Sequence, residues 1–377
     1  IQTASAHLAF FRTEKRFLNT EGADIEQNIL ESGGGMECYA VRAGEVQRRS
    51  YPAGGMGDYV AGGFEHIRSL YLPAHAERVA REARELLDAP PVSPGRYTVI
   101  LEGSQLALQL HESCGHAVEL DRALGEEVSL AGASFLTPEG RGKLRYGSPL
   151  VHITADATLP GGLGTFGFDD EGVPARRVYL VREGIFCGYL SSRETAARLG
   201  RGERSSGSVR AAGWGSLPII RMTNVNLEPG EGTLEELIAD TPRGLLLATN
   251  KSWSIDDLRL NFHFGCEVAW LIEGGRLTGI LKNPVYAGIT PGFWASCDAI
   301  CGGGPPGPPK LPRPPGTPAS PKPLSSRLSE ELPARGLSGE WRIWGVPNCG
   351  KGEPMQLMRV GHGVAPARFR EVEVGSG

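Results

Sequence analysis

The chain has 377 residues, 40% of them hydrophobic and 22% charged, with a formal net charge of −4, a composition sufficient for two compact domains with real cores. Its longest apolar stretches are of the Gly244-Leu245-Leu246-Leu247-Ala248 kind, far short of the about twenty residues that a membrane helix needs, so no membrane span is expected. Lys and Arg are dispersed and not interleaved with aromatics, which argues against nucleic acid as a direct ligand.

The seven cysteines are odd in number and lack the dense spacing of a disulfide scaffold, so a reducing, cytoplasmic setting is expected. The chain opens at Ile1 in mid-pattern, which suggests an upstream segment beyond it.

In chain order, Phe17 to Gly22 reads as a strand entering a turn, and Glu37 to Gln47 as a further strand. Val79, Ala80, Ala83, Leu86 and Leu87 recur at helical spacing within His75–Leu87, and Pro90, Pro91 and Pro94 end that helix. The proline cluster is taken as a domain boundary. Tyr97 to Leu101 is a short β-branched strand, and Gln105 to Leu120 a largely apolar, buried helix. From Val151 to Leu281 strands and glycine turns alternate, with one helix at 233–240, where Thr233 and Glu236 have capping-box spacing. Residues 302 to about 338, dominated at first by Pro and Gly, are expected to be a disordered insertion. Order should return at Glu340 to Trp344, with short strands from Arg359 to Val374. The expected class is α+β: a small N-terminal α/β domain over 1–95, then a larger β-rich catalytic domain over 96–377 that carries a metal-binding helix.

The chemistry is concentrated in His111-Glu112-Ser113-Cys114-Gly115-His116. Two imidazoles are candidate metal ligands and Glu112 is a candidate general base. The histidines are five apart, which on a regular helix rotates them by roughly 140° from one another. One π-bulge would return them to one face, with Gly115 as a permissive place for the distortion. A catalytic site needs a third protein ligand and an open position. Candidates are Cys349, Cys114, His152, His263 and His362. Cys349 is preferred because Asn348-Cys349-Gly350-Lys351-Gly352 reads as a glycine-rich turn with a lysine that favours thiolate. Glu119 and Asp121 could orient the ligand imidazoles, although exposed carboxylates at a helix end are the commoner case. Arg221 to Asn224 reads as a strand whose open edge could bind an extended peptide. Cys297 and Cys301 lack a matching pair for a second metal site.

Four ordered motifs carry a family resemblance: Leu110 to Glu119, Pro218 to Asn224, Lys282 to Tyr286, and Asn348 to Pro354. With them the chain resembles the TldD/PmbA metallopeptidases, also called modulators of DNA gyrase, and specifically the TldD-like member that keeps the metal motif. The resemblance implies zinc held by His111, His116 and Cys349, with Glu112 activating water, and hydrolysis of unfolded or extended peptides. It also implies a dimer, formed with a second copy or with a motif-lacking paralogue. The proline-rich stretch before Trp341 departs from the family pattern, but closure entropy grows slowly with loop length, so Cys349 is expected to keep its place. Competing readings are a catalytically silent partner subunit, a zinc amidase acting on small molecules, and a DNA-topology regulator, the last disfavoured by the dispersed charge.

Overall fold

The computed structural model describes residues 1–129, 132–302, 332 and 337–377. Nearly all of the insertion expected at 302–338 lies outside the described residues.

The N-terminal part is an antiparallel sheet with one long helix against it. Strand β1 (Thr3–Leu18) pairs along its whole length with β2 (Asp24–Arg42), which also pairs with β3 (Glu45–Tyr51) and β4 (Asp58–Val60). The single strand expected over Glu37–Gln47 is in fact two. Ala43 and Gly44 take φ of 51° and 86° between β2 and β3, the left-handed pair that closes a tight hairpin. After α1 (Phe64–Ser69) comes α2 (Leu72–Asp88), which starts slightly before the expected His75. Val79 and Ala83 of α2 pack on Met36, Cys38 and Ala40 of β2, the helical and strand periodicities meeting as one small core.

Strand β5 (Gly95–Leu101) then leads into α3 (Gly103–Leu110), a π-turn at His111–Gly115, and α4 (Leu120–Ala123). A small sheet follows from β6 (Ile153–Asp156), β7 (Arg177–Arg182) and β8 (Ile185–Phe186). Next come α5 (Arg193–Leu199), β9 (Val209–Arg210), β10 (Ile219–Ile220), β11 (Val225–Leu227) and α6 (Leu234–Ala239). Helix α6 carries the expected capping box, with Thr233 and Glu236 bonded reciprocally. Helix α5 corrects the expectation of a single helix in this region. It is capped by Ser192 with Thr195, a weaker sequence signal than Glu or Gln at the same place.

The rest is β12 (Arg243–Ile255), β13 (Asn261–Glu273), β14 (Arg276–Leu281), β15 (Pro284–Ile289), α7 (Thr290–Ala295), β16 (Cys297–Ile300), β17 (Arg342–Lys351), β18 (Gln356–Val364) and β19 (Ala367–Ser376). Pairing runs β12-β5-β19-β15-β13 and returns from β13 to β12, which closes a barrel. Among the described strand pairs, only β5 and β12 run parallel. Both faces of this wall are covered. Val99, Leu101, Leu245 and Leu247 enter the main core, whereas Ile100 and Leu246 pack with Leu86, Leu234 and Trp270. That two-sided burial explains the continuous apolar runs of β5 and β12.

The N-terminal sheet is tied to the barrel by charge. Glu267 of β13 accepts from Arg48 Nε at 2.7 Å, from Arg49 Nη1 at 3.0 Å and from Ser50 Oγ at 2.7 Å. The β17–β18 ribbon docks on β4, where a Cβ on Gly345 would lie 2.0 Å from Tyr59 O, so only glycine permits that approach. No helix among the described residues is long and apolar enough to cross a membrane.

Candidate metal centre

Helix α3 is capped by Glu102, which accepts from the Ser104 amide at 2.9 Å and the Ser104 hydroxyl at 2.6 Å. The helix expected over Gln105–Leu120 widens at His111–Gly115 into the expected π-turn and ends there. The His116 amide donates to His111 O at 3.1 Å, the five-residue bond that a π-bulge requires. Side chains satisfy carbonyls in and beside the distorted turn. Ser113 Oγ donates to Gln109 O at 2.5 Å, Tyr146 OH to Ser113 O at 3.1 Å, and Ser134 Oγ to Ala117 O at 2.6 Å. Trp294 Nε1 donates to Ser113 Oγ at 3.0 Å. Gly115 is needed for packing more than for its backbone: it has no positive φ, but a Cβ there would lie 2.2 Å from Met222 Sδ.

The bulge brings the two imidazoles together edge to face, with ring centroids 4.8 Å apart. Cys349 arrives from the other side, its Sγ 3.7 Å from His116 Nε2. One donor atom from each of His111, His116 and Cys349 lies within 4.8 Å of the others, so these three can hold a metal ion.

Hydrogen bonds set the tautomers. His362 Nδ1 lies 3.1 Å from Val225 O, a pure acceptor, and must donate to it. His362 Nε2 is then the acceptor for His111 Nδ1 at 2.8 Å, which leaves a lone pair on His111 Nε2. His116 Nδ1 donates to Glu119 Oε2 at 3.0 Å and likewise leaves Nε2 bare. Burial pushes His111 well below the ordinary histidine value, His116 down to about 3 and His362 down to about 4. All three are neutral at physiological pH, the form that ligates. Burial raises the Cys349 thiol to about 11, with Arg221 opposing it.

Glu112 is buried beside the pair, and its Oε2 accepts from Arg259 Nη1 at 2.8 Å. Burial raises its carboxyl above the usual value, with Arg259 and Arg122 opposing. The centre opens on a cavity of about 690 Å³ lined by His111, Glu112, His116 and Cys349, with Trp253, Trp344 and Arg259 among its other walls.

Several expectations are corrected. Cys349 does not sit in a turn but on β17, next to an irregularity in the ladder with β18 between Val346 and Cys349. Lys351 is not available to favour its thiolate. It donates to both Asp121 oxygens, at 2.8 and 2.7 Å, and to Ile220 O at 2.9 Å. Glu119 and Asp121 are buried, not exposed. Burial alone would raise the Glu119 carboxyl, but Lys351, His116 and Arg122 hold it well below the carboxylate range. Arg221 to Asn224 forms no open edge. Arg221 is buried and donates to Cys349 O at 2.5 Å and Gln356 O at 3.0 Å, and Asn224 is buried against Asp156 O at 2.8 Å.

Of the other candidate ligands, His362 serves His111 and is outside the three-donor group. Cys114 points into the apolar core. His152 bonds the Glu183 amide and His263 lines a separate groove. Arg259 had no sequence signal at all.

A small α/β unit, a closed barrel and a buried His/His/Cys group beside a glutamate together define a protein organised around a candidate metal centre. The family profile described as PmbA/TldA metallopeptidase C-terminal domain matches residues 94–303, and the chain belongs to this TldD/PmbA family. The matched stretch contains His111, Glu112 and His116, and Cys349 lies beyond it.

The chain is 35% identical to a metalloprotease of Methanocaldococcus jannaschii over 284 residues, 75% of this chain and 59% of that one. It is 27% identical to a zinc metalloprotease TldD homolog of Saccharolobus solfataricus over 197 residues, 52% of this chain and 42% of that one. Matches to metalloproteases of Methanothermobacter thermautotrophicus and Archaeoglobus fulgidus span 56% and 63% of those proteins, so the chain corresponds to somewhat over half the length of these relatives. Its fold is similar to that of a candidate modulator of a DNA gyrase from Thermotoga maritima, with a TM-score of 0.68, 18% identity, and coverage of 98% of this chain and 68% of that one. TldE from Thermococcus kodakarensis gives a TM-score of 0.65 at 17% identity, covering 99% and 68%.

Proposed function

We propose that this protein is a zinc-dependent peptidase acting on unfolded or extended polypeptides, with His111, His116 and Cys349 as zinc ligands and Glu112 as general base. The observation that carries the reading is the convergence of three donors next to a buried glutamate, with each imidazole already held in its ligating tautomer. The donor set suits zinc, which takes nitrogen and thiolate ligands and keeps a fourth position open in catalytic sites.

Zinc held by His111, His116 and Cys349 would supply Lewis acidity toward water and toward the scissile carbonyl. This chain's own residues do the rest. Glu112 takes the proton from the attacking water and delivers it to the leaving amine. Glu119 and His362 hold the ligand rings in place. The Cys349 thiol gives up its proton on metal binding, so loading releases acid and weakens as pH falls. The cavity of about 690 Å³ has room for a short extended segment but not for a folded domain. We place a second subunit, a copy or a motif-lacking paralogue, beside this chain, and the protein in a reducing compartment, where its seven free cysteines stay free.

The test is elemental analysis of purified wild type, Cys349→Ala and Glu112→Ala, with peptide cleavage assayed on the same samples. About one zinc per chain is expected in wild type and Glu112→Ala and none in Cys349→Ala, with cleavage by wild type alone. Wild type that takes up no zinc when it is supplied would sink the reading.

A further inference from the structure

Strands β12 and β13 are joined by a tight turn whose tip carries Arg259 with φ of 63°, a conformation uncommon for a long side chain and found where surrounding structure enforces it. The tip is pinned from several sides. The Leu260 amide donates to Asp256 Oδ1 at 2.7 Å and Thr290 Oγ1 to Arg259 O at 2.9 Å. Asp257 O and Leu258 O accept from the amides of Ala133 and Phe135 at 2.8 and 3.0 Å. The fixed tip sends the guanidinium into the cavity wall, with Nη1 2.8 Å from Glu112 Oε2.

We propose that Arg259 is a positioning residue that acts through Glu112, restraining the carboxylate beside the donors of His111, His116 and Cys349. A glutamate has three rotatable bonds, and a base that must meet a water proton at one place loses rate when those bonds are free. The bond to one carboxylate oxygen restricts rotation and supplies the partner that a buried anion needs. A rigid hairpin tip imposes this restraint better than a flexible loop would. The role rests on the peptidase reading given above.

The experiment uses Arg259→Ala and Arg259→Lys, each in wild type and in the Glu112→Gln background. Zinc content and steady-state kinetics are measured on zinc-loaded protein and denaturant unfolding on metal-free protein. Arg259→Ala should lower kcat ~10–100-fold, the usual effect of losing a residue that orients the primary groups, with KM and zinc content unchanged. Arg259→Lys should recover part of the loss. In the metal-free protein Arg259→Ala and Glu112→Gln should be non-additive, as expected for residues in contact. Unchanged kcat, a rise in KM alone, or loss of zinc in Arg259→Ala would each overturn the role, and an additive unfolding cycle overturns the pairing whatever the activity. A zinc-loaded wild type that cleaves no peptide defeats the peptidase reading instead, and the unfolding cycle still reports on the pair.

Discussion

The centre is assembled from two walls built on different principles. The helical wall, His111 to His116, has its turn around Ser113 held by hydrogen bonds among neutral groups: Ser113 Oγ on Gln109 O, Tyr146 OH on Ser113 O, Trp294 Nε1 on Ser113 Oγ. The strand wall, which carries Cys349, is held by buried charge: Arg221 on Cys349 O, and Lys351 between Asp121 and Glu119. A neutral network that loses one member leaves buried polar groups unsatisfied but no bare charge. A buried ion cluster that loses one member leaves an uncompensated charge. The two walls should therefore fail by different amounts, and this asymmetry can be measured.

The largest expected effect is on the strand wall. Lys351 is fully buried, its Nζ 2.7 Å from Asp121 and 3.5 Å from Glu119. Lys351→Met keeps the apolar stem and removes the charge, leaving two buried carboxylates without that cation. Unfolding of the metal-free protein in denaturant should show a loss of about 3–5 kcal/mol. A loss below about 1 kcal/mol would mean that the cluster is solvated in solution, and the contrast between the walls would collapse. Because Glu119 also orients His116, zinc affinity should fall with the same substitution.

The same contrast explains what could be read in the sequence. The helical wall is local: two histidines five apart, a glycine between them and an apolar run before them are enough to expect a bulge, and the bond from the His116 amide to His111 O supplies it. Helix α6 and strand β5 are legible for the same reason, since their caps and periodicity are contiguous. The strand wall is non-local. The neighbours of Cys349 point to it for the wrong reasons, a glycine-rich turn and a nearby lysine, because Cys349 and Gly350 lie within β17, the turn begins only at Gly352, and Lys351 is taken by Asp121. His362 lies 251 residues from His111, and Arg259 147 from Glu112, and no periodicity or spacing rule connects positions that far apart. Barrel closure is equally hidden, since it depends on β12 meeting both β5 and β13. Glu119 was visible three residues after His116, but burial, which turns a surface acid into a ring-orienting one, was not.

A smaller effect is expected on the helical wall. Ser113→Ala removes the acceptor for Trp294 Nε1 and the donor to Gln109 O, both buried, without leaving a charge behind. The expected loss is about 1–3 kcal/mol in metal-free unfolding, the cost of buried polar groups left unsatisfied. The comparison sharpens if the double variant Ser113→Ala/Lys351→Met is additive, because the walls would then act as independent supports of one centre. Strong coupling would show that the π-turn and the ion cluster are one unit.

The smallest effect separates the imidazoles from the acids by pH. His116 titrates at about 3 in the folded protein, against an ordinary value of 6.5. Between those values the unfolded chain binds a proton at this site and the folded one does not. Stability at this site is therefore fully present above pH 6.5 and is lost as pH falls toward 3, at up to about 1.4 kcal/mol per unit. Asp121 works in the opposite sense: burial, against the pull of Lys351, raises it to about 6, so the folded state gains a proton there as pH falls from above that value. The net slope of wild type mixes the two signs, and the difference between wild type and His116→Gln isolates the imidazole. Metal-free His116→Gln should show a stability-against-pH slope between 6.5 and 4.5 that is less positive than wild type by up to about 1.4 kcal/mol per unit. Equal slopes would mean that the folded imidazole carries a proton shared with Glu119, and His116 would then be held by an ion pair as Lys351 is.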